Sequence, residues 1–224
     1  MKVKICGLTR IEDVKACETA GSNLIGFINI KRSKRYLKID QINKLIDSTY
    51  LTSDIEPVVV LEPENSQVLE EKAERLNINN IQLHSLSSDE IKKFKENHKN
   101  YKIIRAVGLS NEIDDSKEKE IKEFAEICDG ILLDYEISGR TGGTGMQIPL
   151  KVAIDASKIA RQSNKDIKLF LAGGIDANRI KNDFGIINKH FDYLDVNSGV
   201  EDKPGIKNHD KINEILAFDI FNEF

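Results

Sequence analysis

The stretch Lys2-Val3-Lys4-Ile5-Cys6-Gly7-Leu8-Thr9-Arg10 decides the fold of this 224-residue chain. Residues 2–6 read as a short strand, and the turn after them carries a single glycine. An open doubly wound sheet built to hold a dinucleotide needs Gly-x-Gly-x-x-Gly at this point, and the turn lacks it. Further strand candidates lie at 24–28, 57–61, 80–83, 102–106, 130–134, 167–172 and 192–197. Amphipathic stretches follow them, for example Val14, Cys17 and Ala20, or Val68, Leu69, Lys72 and Leu76. A helix over 65–77 begins after Pro63 with Asn65 or Ser66 as its cap. Strand–helix pairs repeated roughly every 25–30 residues predict a closed parallel α/β barrel, a single (β/α)8 domain over residues 1–224.

Composition bounds the partners. The chain is 40% hydrophobic and 31% charged, with a formal net charge of −4. That balance argues against nucleic acid, which calls for a basic face, but leaves room for a small anion. Cys6, Cys17 and Cys128 show no Cys-x-x-Cys spacing and suit neither a disulfide framework nor a zinc site, so no metal is expected. Cys17 and Cys128 read as small core hydrophobes. The N-terminus lacks the apolar stretch of a signal peptide, and no apolar run reaches the roughly 20 residues that span a bilayer. A cytoplasmic protein without a membrane partner is expected. The apolar residues near the end (Ile215, Leu216, Phe218, Ile220, Phe221 and Phe224) read as the core face of the last helix, and both a monomer and a homodimer remain open.

In a barrel the reactive groups gather at the carboxyl ends of the strands. Period-two alternation puts Val3 and Ile5 under the helices and Lys4 and Cys6 inside. It likewise turns Gln82 and His84 inward in the fourth strand, Asp134 in the sixth, and Asp195 and Asn197 in the eighth. His84 alone could be structural, Asp134 alone could cap a loop, and Lys4 could simply pair with Asp195. Glycine turns follow the last three strands: Gly142-Gly143-Thr144-Gly145, Gly173-Gly174 and Ser198-Gly199. Such turns let backbone N–H groups approach an anion, so phosphate-binding loops are expected after strands six to eight. A thiol and a carboxyl facing one another beside such loops describe an acid/base site for a phosphorylated small molecule.

With these motifs in view, the chain resembles the phosphoribosylanthranilate isomerase family along nearly its whole length. The resemblance rests on K-I-C-G-L-T-R at 4–10, G-F at 26–27, R-S-K-R-Y at 32–36 and I-Q-L-H at 81–84. It continues with L-L-D at 132–134, G-G-T-G at 142–145, L-A-G-G-I at 171–175 and D-V-N-S-G-V-E at 195–201, then Pro204-Gly205 and Asp210. It implies a (β/α)8 barrel that performs an Amadori rearrangement in tryptophan biosynthesis without cofactor or metal. N-(5-phosphoribosyl)anthranilate would become 1-(2-carboxyphenylamino)-1-deoxyribulose 5-phosphate. Carried over by position, Asp134 would be the general acid, Cys6 the general base, and Arg35 the holder of the anthranilate carboxylate. Gly143, Gly145, Gly173, Gly174, Ser198 and Gly199 would hold the phosphate, with Gln82, His84, Asp195 and Asn197 also facing substrate. The chain departs from the family's pattern at Asn29, Lys31, Ser85-Leu86-Ser87, 135–140 and Ile148-Pro149-Leu150, and Arg140 offers an additional anion contact. Two other readings fit the same scaffold. One is a different sugar-phosphate isomerase or epimerase, which would make little use of Arg35; the other is a phosphate-ligand binder without catalysis.

Overall fold

The structure, a computed structural model, describes residues 1–49, 55–137, 140–141 and 145–220, the backbone alone at 137, 140–141 and 219–220. The expected strands form as β1 (Lys2–Ile5), β2 (Leu24–Asn29), β3 (Glu56–Leu61), β4 (Asn80–Leu83), β5 (Lys102–Leu109) and β6 (Gly130–Ile137). A two-residue strand, β7 (Arg140–Thr141), folds back antiparallel on β6, and β8 (Lys168–Leu171) and β9 (Tyr193–Val196) complete the set. All neighbours except β7 are parallel, and the β1–β9 and β5–β6 pairings close the ring. Eight helices stand outside it among the described residues: α1 (Ile11–Thr19), α2 (Ile39–Asp47), α3 (Ser66–Ala73), α4 (Ser88–Asn97), α5 (Asp115–Ile127), α6 (Leu150–Ser163), α7 (Ala177–His190) and α8 (His209–Ile220). A hairpin of β10 (Glu201–Lys203) and β11 (Ile206–Lys207) lies between β9 and α8.

The local sequence explains these elements. β2 is buried at every position, as a parallel strand covered on both faces must be. Asn65, Ser87, Asp114 and Asp176 cap α3, α4, α5 and α7 by accepting the N–H three residues on, and Glu90 closes a capping box at Ser87. The main core is the layer between strands and helices, with Val3, Ile5, Cys17 and Cys128 in it. Leu24, Val58, Ile104, Leu132 and Phe170 plug the barrel itself, which is therefore solid below its mouth. At the end of the chain Ile215 and Leu216 are buried and Phe218 packs on the same core. The side chains of Ile220, Phe221 and Phe224 lie outside the described residues.

Two strands run beyond the expected limits. β5 and β6 each extend three residues further, because Gly108 and Leu109 continue the ladder opposite Asp134 and Tyr135. Asp134 therefore sits inside a paired strand rather than at its tip, which fixes its backbone on one side. No helix among the described residues is long and apolar enough to cross a membrane.

Candidate active site

A cavity of about 440 Å³ opens at the carboxyl ends of the strands. Cys6, Gln82, His84, Asp134, Asp195 and Asn197, read from alternation as inward-facing, all line it. Ile28, Ile30 and Val60 form its apolar wall beside Cys6. A Cβ added at Gly26 would lie 2.7 Å from Cys6 Sγ, so the absence of a side chain at this position of β2 leaves room for the thiol. Gly7 serves the next contact out. At φ +76° it adopts a conformation that favours glycine, and a Cβ there would lie 2.5 Å from Arg35 Cδ.

Beneath the thiol lies a buried polar chain. Lys4 Nζ donates to Asp195 Oδ1 at 2.6 Å and to Gln82 Oε1 at 2.8 Å. The ammonium thus orients the Gln82 amide, whose nitrogen lies 2.9 Å from His84 Nε2 and donates to it. The proton of the imidazole is then on Nδ1. Burial, with Arg105 and Lys4 nearby, pushes His84 down to about 3, so it is neutral throughout the working range. The side-chain groups of Gln82 and Asp195, taken from the sequence as substrate contacts, are thereby engaged with Lys4.

The two candidate catalytic groups have shifted titrations. Burial raises the Cys6 thiol, against the pull of Lys4. Burial also pushes Asp134 up to about 7, with the Tyr135 N–H (2.7 Å) opposing and Asp195 reinforcing. A carboxyl that keeps its proton near neutrality is what a general acid needs.

Arg35 stands at the mouth on the loop after β2, which is pinned by the Leu37 N–H to the Ile28 carbonyl. Its Nε and Nη2 grip Glu201 at 2.7 and 2.5 Å, with side chains only 13% and 5% exposed. Lys207 Nζ and the Gly205 N–H complete the carboxylate of Glu201. Lys207 also donates to the Asn197 carbonyl and Oδ1, so Asn197 holds the lysine as well as lining the cavity. Sequence reasoning singled out neither Glu201 nor Lys207 as a site residue. Glu201 closes the D-V-N-S-G-V-E motif, a usable signal; Lys207 left none.

The glycine turns meet beyond the ends of β8 and β9. Gly145, Gly173 and Gly174 all have positive φ and line the cavity with Ser198. Gly199 packs so tightly on the turn after β8 that a Cβ would lie 2.0 Å from the Ile175 carbonyl oxygen. Arg179 ties this region together through Gln147 Oε1 (2.8 Å) and the Ile148 carbonyl (2.9 Å), and Gln147 reaches the Gly174 carbonyl. The departure at Ile148-Pro149-Leu150 is thus a structural anchor, with Ile148 buried and Pro149 preceding α6. Asn29 is likewise satisfied, donating to the Leu37 carbonyl and accepting from Lys72. Ser85 bonds the Pro63 carbonyl, and Leu86 takes φ +76° between them and the Ser87 cap. Gly143 and the side chain of Arg140 lie outside the described residues.

A sequence profile of the family described as N-(5'phosphoribosyl)anthranilate (PRA) isomerase matches residues 3–217. The chain belongs to the PRA isomerase family. It is 34% identical to the N-(5'-phosphoribosyl)anthranilate isomerase of Methanothermobacter marburgensis, over 97% of this chain and 94% of that one. It is 32% identical to that of Staphylococcus haemolyticus, covering 96% and 97%. Among solved structures, a PRA isomerase in complex with reduced 1-(o-carboxyphenylamino)-1-deoxyribulose 5-phosphate superposes with a TM-score of 0.76 at 25% identity, covering 97% of each chain. PRA isomerases are thus its relatives in sequence and in fold.

Proposed function

We propose that Cys6 and Asp134 are the base and acid of the PRA isomerase reaction in this chain. The reaction is the isomerisation of N-(5'-phosphoribosyl)anthranilate in tryptophan biosynthesis. The observation that carries the assignment is the meeting of a thiol and a buried carboxyl in one cavity, with a guanidinium and paired glycine turns at its mouth. Asp134 gives its proton to the ribose ring oxygen as the C1–O bond breaks, leaving a protonated Schiff base at C1. The Cys6 thiolate then takes the C2 proton, and the enolamine becomes the amino-ketose as C1 gains a proton and the C2 hydroxyl loses one. The rim around Gly145, Gly173, Gly174, Ser198 and Gly199 receives the phosphate, and Arg35 receives the anthranilate carboxylate. Three cysteines without a disulfide suit a reducing cytoplasm.

The titrations set a testable pH dependence. Catalysis needs the thiolate together with the protonated carboxyl, the minor form of the singly protonated pair. The rate should rise through a lower apparent value near 7 and fall through an upper one set by the raised thiol. We expect a bell in kcat/KM against pH whose limbs both vanish or move when either residue is replaced. A profile that keeps its shape in Asp134→Asn would remove the acid from this role.

Arg35 decides the substrate class. Charge-assisted bonds to a carboxylate contribute about 1.5–3 kcal/mol each, so Arg35→Ala should raise KM about 10- to 100-fold with kcat less affected. Glu201 keeps Lys207 as its partner in that variant, so the fold should survive. A mild effect would favour a sugar phosphate without the anthranilate carboxylate.

A further inference from the structure

We infer that Lys4 and Asp195 work as one buried dipole that serves base and acid together, its cationic end at Cys6 and its anionic end toward Asp134. The inference rests on the assignment of those two residues above and adds a positioning pair to it.

The geometry sets the orientation. Lys4 and Asp195 pair in register across β1 and β9, with 2.6 Å between charges and Lys4 fully buried. Lys4 lies on β1 two residues before Cys6, which directly follows the strand, and the two side chains interact. The ring runs β1, β9, β8, β6, so Asp195 stands on the side of the ammonium nearer the strand of Asp134. Gln82 holds the ammonium from the opposite side of the barrel.

Either charge alone would serve one partner and harm the other. A lysine by itself stabilises the thiolate but also strips the proton from the acid; an aspartate by itself does the reverse. Placed as a pair, the nearer end dominates at each site. At Cys6 the attraction of Lys4 exceeds the repulsion of Asp195, and at Asp134 the repulsion of Asp195 exceeds the attraction of Lys4. Among the described residues, Lys207 from β11 and Arg35 from the loop after β2 also face the thiol, and Glu201 engages both. His84, beyond Gln82, is neutral. Asp134 is faced by Asp195 and Lys4, with the Tyr135 N–H bonded to it.

The decisive variant is Lys4→Met combined with Asp195→Asn, which preserves shape and leaves no buried charge unpaired. Two readouts apply: alkylation of Cys6 by iodoacetamide against pH, followed by mass spectrometry of the Cys6 peptide, and kcat/KM against pH. The thiol titration should move up and the lower kinetic limb down, each by about one unit, so the limbs part. The summit of the bell should fall about tenfold for each unit of separation. Lys4→Arg, which keeps the charge, should leave the thiol titration close to that of the parent. Limbs and thiol titration that stay in place in the double variant would overturn the dipole while leaving the acid and base assigned. Activity retained in Cys6→Ala would instead overturn the assignment on which the dipole rests.

Discussion

Asp134→Asn should lower kcat/KM on the order of 10²–10⁴-fold and at the same time make the protein more stable above neutral pH. The first effect follows because an amide cannot donate a proton to the ribose ring oxygen. The second follows from linkage. Asp134 sits near 7 in the folded chain, against an ordinary value of 3.8. Between those values the unfolded chain has released the proton while the folded chain retains it, so stability drops as pH rises and the loss is complete above about 7. Asparagine never ionises, and its side-chain oxygen can still accept the Tyr135 N–H. The gain at pH 8 over the parent should reach a few kcal/mol and fade toward pH 4. Paired thermal melts at the two pH values measure it, and loss of anthranilate fluorescence on freshly made substrate measures the activity. Cys6→Ala should match the activity loss without this pattern in stability. An Asp134→Asn variant whose advantage is the same at both pH values would show that the carboxyl titrates normally.

Gly199→Ala should produce the second large effect. The added methyl would begin 2.0 Å from the Ile175 carbonyl oxygen, and both atoms belong to backbone turns that a rotamer change cannot relieve. The turns after β8 and β9 must separate, at a cost of about 1–3 kcal/mol in stability as for other overpacked sites. Affinity for a phosphate-bearing ligand should fall further than stability alone explains, because the same two turns form that rim. Gly21→Ala is the fitting comparison. It has φ +81° with open space around it, so it carries backbone strain without a clash. Denaturant melts and product titrations on both variants separate the two effects. A Gly199→Ala variant that loses no more stability than Gly21→Ala and keeps its affinity would show that the two turns part at little cost.

Local periodicity carried much of this architecture. Alternation in short strands identified Lys4, Cys6, Gln82, His84, Asp134, Asp195 and Asn197 as inward-facing, and all but Lys4, buried beneath the thiol, line the cavity. What escaped depends on partners far along the chain. The extension of β5 and β6 arises from their mutual pairing, which neither segment reveals alone. Arg35 and Glu201 are 166 positions apart, and nothing near Arg35 hints that its guanidinium is already engaged. Lys207 carries no signal in the local sequence, yet it is buried where the hairpin of β10 and β11 forms. Gln82 and Asp195 line the cavity and the Lys4–Asp195 pair was foreseen, but the Lys4–Gln82 bond was not, because a strand's period tells direction and not hydrogen-bond partner.

The hairpin has a consequence for moving this specificity between barrels. The loop after β2 carries the guanidinium, but Glu201 on β10 aims it and Lys207 on β11 holds that carboxylate in place. Asp13 on α1 accepts the Lys207 N–H and contacts His209, so the first helix braces the last turn of chain. The proposed carboxylate contact is therefore divided between the first quarter of the polypeptide and a segment near residue 200. Grafting residues 30–37 alone into another scaffold would transfer a freely swinging arginine; recognition would travel only with both pieces, transplanted as a matched set.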